Sequence, residues 1–99
     1  MIGFVHYTSI IADSAVIGTG NIIYPFCIVG ANSIMGDFNL VTSYSFISHD
    51  CNIGDHNFFS TTGLSGNVLI GSNNFFGVRS TVIPNVKIGD NSIIQAGMT

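Results

Sequence analysis

Charge is what this chain has least of. Asp, Glu, Lys and Arg make up 7% of its 99 residues, Arg79 and Lys87 are the only cations, and the net charge is −3. Holding a nucleic-acid backbone needs clustered Lys and Arg to neutralise phosphates, so nucleic acid is not expected as a partner. Tryptophan is absent, and the only prolines are Pro25 and Pro84. Long apolar runs are missing too: Ile22–Val29 is short and interrupted by Pro25, far below the ~20 residues of a membrane-spanning helix. No membrane partner is expected. The N-terminus lacks a basic stretch followed by an apolar one, so no secretory signal is expected. Nor does any segment carry apolar residues at helical spacing.

What the chain does have is 46% hydrophobic content arranged to a strict beat. From Ile11 a six-residue step lands on Ile17, Ile23, Val29, Met35, Val41, Ile47, Ile53 and Phe59. The count resumes at Leu64 and continues through Ile70, Phe76, Val82, Ile88 and Ile94. Such a step predicts three short strands per turn of a parallel β-solenoid. Folded on an eighteen-residue coil, the rows become three inward columns: Ile11–Val29–Ile47–Leu64–Val82, Ile17–Met35–Ile53–Ile70–Ile88 and Ile23–Val41–Phe59–Phe76–Ile94. The register requires a one-residue deletion at the Ser60–Gly63 corner, because an unshifted count would put Ser65, Gly71 and Gly77 in the core. The result is one domain over 1–99 of about five coils, ~24 Å tall at the usual strand spacing.

The second column repeats beyond apolarity. Glycine follows each of its members as Gly18, Gly36, Gly54, Gly71 and Gly89, which predicts a corner where a Cβ would clash or φ is positive. Asn21, Asn39, Asn57 and Asn74 come next and are expected to stack as a hydrogen-bonded ladder. Asn also tolerates the left-handed conformation of tight corners. Cys27 and Cys51 both fall at the fifth hexad position, where small inward residues belong, and on different faces. Two buried thiols are therefore expected rather than a disulfide, which fits a reducing, cytoplasmic setting.

Three segments carry a family resemblance: Ser48–Asp55 (SHDCNIGD), Leu64–Gly71 (LSGNVLIG) and Val82–Gly89 (VIPNVKIG). From Ile17 to Gly97 the chain resembles the left-handed β-helix domain of bacterial hexapeptide-repeat acyltransferases, in particular the sialic acid O-acetyltransferase and UDP-amino-sugar N-acetyltransferase group. The resemblance implies an all-β, left-handed parallel β-helix, a homotrimer, and acetyl-CoA as co-substrate. It also implies transfer of acetyl to an amine or hydroxyl of a sugar or sugar nucleotide. His49 matches the general base, and an imidazole suits proton removal near neutral pH. Asp50 matches the carboxylate that orients it. Gly66 matches a glycine whose N–H contacts the thioester region, and Ala96 a glycine near the pantetheine arm. Val78 and Arg79 fall beside the acetyl-CoA groove, with Arg79 a candidate for a CoA phosphate. The chain departs from the pattern at Phe58, where members often carry a second histidine nine residues after the base. His56 lies two residues out of that register.

Other functions are less well matched. A zinc site of the carbonic-anhydrase kind needs three convergent histidines, and His6, His49 and His56 lack the paired spacing, so no metal is expected. The threonines form no column of the kind an ice-binding face needs. The remaining alternative is a non-catalytic trimerising β-helix, a truncated or relic acetyltransferase domain. Outward aromatics such as Phe26, Phe38, Phe46 and Phe58 are the expected interface material.

Overall fold

The computed structural model describes residues 3–97. The domain boundaries expected at 1 and 99 therefore lie outside the described residues. All regular structure described is short parallel strand, in three sheets wound as a solenoid. The first sheet stacks Ile10–Ile11, Ile28–Val29, Phe46–Ile47, Gly63–Leu64 and Thr81–Val82. The second stacks Val16–Ile17, Ile34–Met35, Asn52–Ile53, Leu69–Ile70 and Lys87–Ile88. The third has six strands: Gly3–Val5, Asn21–Ile23, Leu40–Val41, Phe58–Phe59, Phe75–Phe76 and Ile93–Ile94.

The three inward columns are those of the six-residue count, residue for residue. The deletion is also where the count puts it: Gly63 pairs with Phe46 and Leu64 with Ile47, across 17 residues instead of 18. One strand lies outside the expectation. Gly3–Val5 pairs with Asn21–Ile23, so Val5 extends the third column downward, and Val5 stands six residues before Ile11, on the same beat. Side chains in the middle coils are sealed, with Ile23, Leu64 and Phe76 at 0% exposure. At the two ends Ile11, Ile17, Ile88 and Ile94 are only partly buried, since no further coil covers them.

The asparagine ladder is present. Each Asn Oδ1 accepts the backbone N–H of its counterpart one coil on, from Asn21 to Asn39, Asn39 to Asn57 and Asn57 to Asn74, at 2.8–2.9 Å. Each Nδ2 donates to the glycine carbonyl at the next corner: Asn21 to Gly36, Asn39 to Gly54 and Asn57 to Gly71. At the upper end the Asn74 Oδ1 accepts from Ser92, and only the Asn74 Nδ2 is buried without a partner among the described residues. Two parts of the corner expectation need correction. The ladder asparagines are not in the left-handed region; the residues before them are, as Gly20, Phe38, His56 and Asn73, and Asn91 continues this corner before Ser92. The glycines that follow the second column do not have positive φ either. Gly18, Gly36, Gly54 and Gly71 have the next coil lying against them, as a Cβ on Gly54 would sit 2.7 Å from the Gly71 carbonyl oxygen.

Cys27 and Cys51 are buried, free, and on different faces, as expected. Burial pushes both thiols above their ordinary pKa, with hydrogen bonds pulling part of the way back. Each points its Sγ at a carbonyl, Thr42 at 3.1 Å and Ser65 at 3.2 Å. They are inert core residues.

Candidate functional site

His49 and Asp50 sit at the corner between the first and second sheets, after the strand Phe46–Ile47. That corner has a left-handed column of its own: Asn32, Asp50, Asn67 and Asn85. All are Asx residues, the non-glycine types that adopt this conformation most readily. The turn alone thus accounts for Asp50 being an Asp or Asn, and the carboxylate has a further task. Its Oδ2 lies 2.9 Å from His49 Nδ1. With side-chain exposures of 61% and 47%, the pair adds little to stability. Its consequence is orientation: an Nδ1–H donated to Asp50 leaves Nε2 as the proton-accepting nitrogen.

Nε2 faces Gly66 in the adjacent coil. A Cβ at residue 66 would come within 2.7 Å of Nε2 and 2.8 Å of Cε1, so glycine is what allows the imidazole to lie there. Backbone bonds hold both residues of the pair in place. The His49 carbonyl accepts from Asn67 at 3.1 Å, and the Asp50 N–H donates to Ala31 O at 2.9 Å. The supporting Asn67 was not among the expected site residues, although the 18-residue recurrence Asn32–Asp50, resumed at Asn67 and Asn85, was readable in the sequence. The Gly66 N–H has no protein partner among the described residues.

The other candidates lie elsewhere. Val78, Arg79 and Ala96 occupy the corner between the third and first sheets, in the upper coils. Here the Val78 carbonyl accepts from Gly97 at 2.8 Å, and the Arg79 N–H donates to Ser60 O at 3.1 Å. A Cβ on Gly77 would meet the Ala96 backbone N at 2.6 Å. The candidate residues therefore lie on two edges of the prism, with the outer surface of the first sheet between them. The histidines do not converge: His6 is at the lowest turn after the third sheet, and His56 is at the corner between the second and third, its ring stacked on Phe38 at 5.4 Å. Phe58 lies on the outside of the third sheet, stacked on Phe75. Among the described residues no group of His, Cys, Asp and Glu is placed to hold a metal.

A family model described as bacterial transferase hexapeptide (six repeats) matches residues 67–97. Solved structures match far more of the chain. A histidine-to-asparagine variant of perosamine N-acetyltransferase from Caulobacter crescentus, in complex with CoA and GDP-perosamine, superposes with a TM-score of 0.95 at 28% identity, covering 98% of this chain and 47% of that one. The acetyltransferase domain of PglB from Neisseria gonorrhoeae, in complex with acetyl coenzyme A, gives 0.90 at 26% identity, covering 94% and 46%. WeeI from Acinetobacter baumannii gives 0.93 at 26% identity, covering 97% and 48%. The chain thus spans about half the length of these structures. By its repeat, its coil stack and these likenesses, the chain is a hexapeptide-repeat β-solenoid similar to bacterial sugar acetyltransferases.

Proposed function

We propose that the chain carries acetyl-CoA-dependent acetyl transfer to an amine or hydroxyl of a sugar or sugar nucleotide, as a cytoplasmic homotrimer. The observation that supports it most is the His49 ring held by Asp50 with Nε2 facing Gly66. In this reading the acceptor N–H or O–H gives its proton to Nε2 while its heteroatom attacks the thioester carbon. The charge that develops on the carbonyl oxygen is met by the free Gly66 N–H, where a pre-placed donor is worth most. Asp50 stabilises the imidazolium that forms. Collapse breaks the C–S bond, and the CoA thiolate takes the proton back from Nε2. No acyl-enzyme forms, which agrees with the burial of both cysteines. Val78, Arg79 and Ala96 would belong to the acetyl-CoA groove, contributed by a neighbouring protomer because one chain keeps them on a different edge.

The test is thiol release from acetyl-CoA over a panel of amino sugars and sugar nucleotides. A general base contributes about 10²–10⁴ in rate, so His49→Ala is expected to lose at least about a hundredfold with its melting temperature unchanged. Unchanged turnover in that variant removes the mechanism. A wild-type chain that neither turns over nor gains thermal stability from millimolar acetyl-CoA is the non-catalytic β-helix instead.

A further inference from the structure

The corner between the third and first sheets carries one left-handed residue per coil, and they are Phe26, Tyr44, Thr61, Arg79 and Gly97. Bulky side chains are uncommon in this conformation. The corner that bears His49 avoids them altogether by using Asn and Asp. Phe26 and Tyr44 do not, and they stay 53% and 66% exposed. Neither backbone preference nor burial accounts for aromatics there; among the described residues only Phe38 and His56, at the corner between the second and third sheets, form a similar left-handed stacked pair, and no arginine stands above them. Their rings stack, with centroids 5.3 Å apart and planes 17° from parallel.

In the next coil the stack stops. Thr61 has no ring, and its groups turn back onto the chain: its N–H donates to Thr42 Oγ1 at 2.9 Å and its hydroxyl to Ser43 O at 3.1 Å. This is also the corner shortened by one residue. One coil further stands Arg79, exposed, whose guanidinium makes no hydrogen bond or ion pair among the described residues. Tyr44 and Arg79 are therefore two coil spacings apart, about 9.6 Å, with a ring missing between them. A planar group at the Thr61 level would lie about 4.8 Å from each, inside the 4.5–7 Å range of offset stacking. Arg is suited to the far side, because guanidinium stacks on aromatic faces and also pairs with phosphate.

We infer that the slot between Tyr44 and Arg79 takes the planar base of a nucleotide, with Arg79 reaching its phosphate. In a chain with two cations, one of them stands at this slot, and the other, Lys87, is on the second sheet. The base can come from the adenosine of coenzyme A or from a nucleotide-linked sugar acceptor. Only that choice of sources rests on the proposed acetyl transfer; the slot itself does not.

Calorimetric titration reads binding at the site, because the chain's three tyrosines, Tyr7, Tyr24 and Tyr44, all emit and nucleotides absorb where tyrosine is excited. The wild type is titrated with adenosine 3′,5′-bisphosphate, UMP and GMP, none of which carries an acyl group. A saturable heat of binding is expected with at least one. Arg79→Ala should weaken that binding at least tenfold, as should Tyr44→Ala followed by thermal shift. Tyr44→Phe should retain it. Binding of the bisphosphate alone assigns the slot to the acetyl donor, and binding of UMP or GMP alone assigns it to the acceptor. No saturable binding by the wild type at millimolar ligand overturns the inference, as does equal affinity in Tyr44→Ala. Nucleotide binding without any acetyl transfer by the wild type would sink the proposed reaction and leave the slot standing.

Discussion

Asn57 does more structural work than its size suggests. It is 2% exposed, its Nδ2 donates to Gly71 O at 2.9 Å, and its Oδ1 accepts the Asn74 N–H at 2.9 Å. Cutting the side chain back strands a buried donor on one side and an acceptor on the other. An unsatisfied buried group costs about 1–3 kcal/mol, so Asn57→Ala should lower the free energy of unfolding by roughly 2–5 kcal/mol in a urea melt. Asp55→Ala is the control. Its Oδ1 also accepts a backbone N–H, from Asp37 at 2.7 Å, but at a partly exposed corner where water can substitute. Its loss should be under about 1.5 kcal/mol, and equal losses in the two variants would mean that the ladder is not a buried network. The ladder was legible in the sequence because the same residue type recurs on the coil period. Its conformation was not. Asn serves both as a ladder residue and as a left-handed corner residue, and spacing alone cannot separate the roles. In the structure they fall on neighbours, Asn73 taking the corner and Asn74 the ladder.

Between residues and the whole lie the strands and corners, where the six-residue beat proved sufficient for all three columns and for the shortened turn. Inward packing is a property of each strand, so the sequence expresses it locally, down to Val5. Contacts between coils are expressed less directly. The adjacency of His49 and Asp50 could be read off the chain, whereas the imidazole lying over Gly66 depends on a rotamer and on a register moved by the deletion. The corner glycines show the same limit, since their role is set by what the next coil brings. Gly71 is followed by a full coil, and a Cβ there would run into the Asp90 carboxylate and the Gly89 backbone. Gly89 has nothing within 4 Å of the same position. Gly71→Ala should therefore cost about 1–3 kcal/mol by overpacking, while Gly89→Ala should be neutral or slightly stabilising by stiffening the unfolded chain. Thermal melts of the two single variants check this. A Gly89→Ala loss as large as that of Gly71→Ala would show that backbone conformation, not crowding, fixes these positions.

The outer surfaces of the three sheets differ in a way that bears on assembly. The first includes Gly63 and Thr81, and the second includes Asn52 and Lys87. The third shows only apolar side chains along its whole height: Phe4, Ile22, Leu40, Phe58, Phe75 and Ile93. Phe58 and Phe75 lie nearly parallel, 5.1 Å apart. Of the other aromatics expected at an interface, Phe46 covers Gly63 within its own sheet and Phe38 stacks on His56. No helix among the described residues is long and apolar enough to cross a membrane. A contiguous apolar column of this length favours contact with another protein surface, and the proposed homotrimer supplies one. In the proposed function the His49 edge of one protomer meets the Arg79 edge of the next, which a single chain keeps apart. Phe75→Glu tests this arrangement without touching either edge. Its side chain points outward and is 47% exposed, so the strand signal in far-UV dichroism should survive. By light scattering at micromolar concentration the wild type is expected at about three times its 10.5 kDa chain mass. The variant should fall to the single-chain value and lose acetyl transfer while still binding free nucleotide. A variant that stays assembled moves the interface off the third sheet, and a wild type that is monomeric removes the joined site altogether.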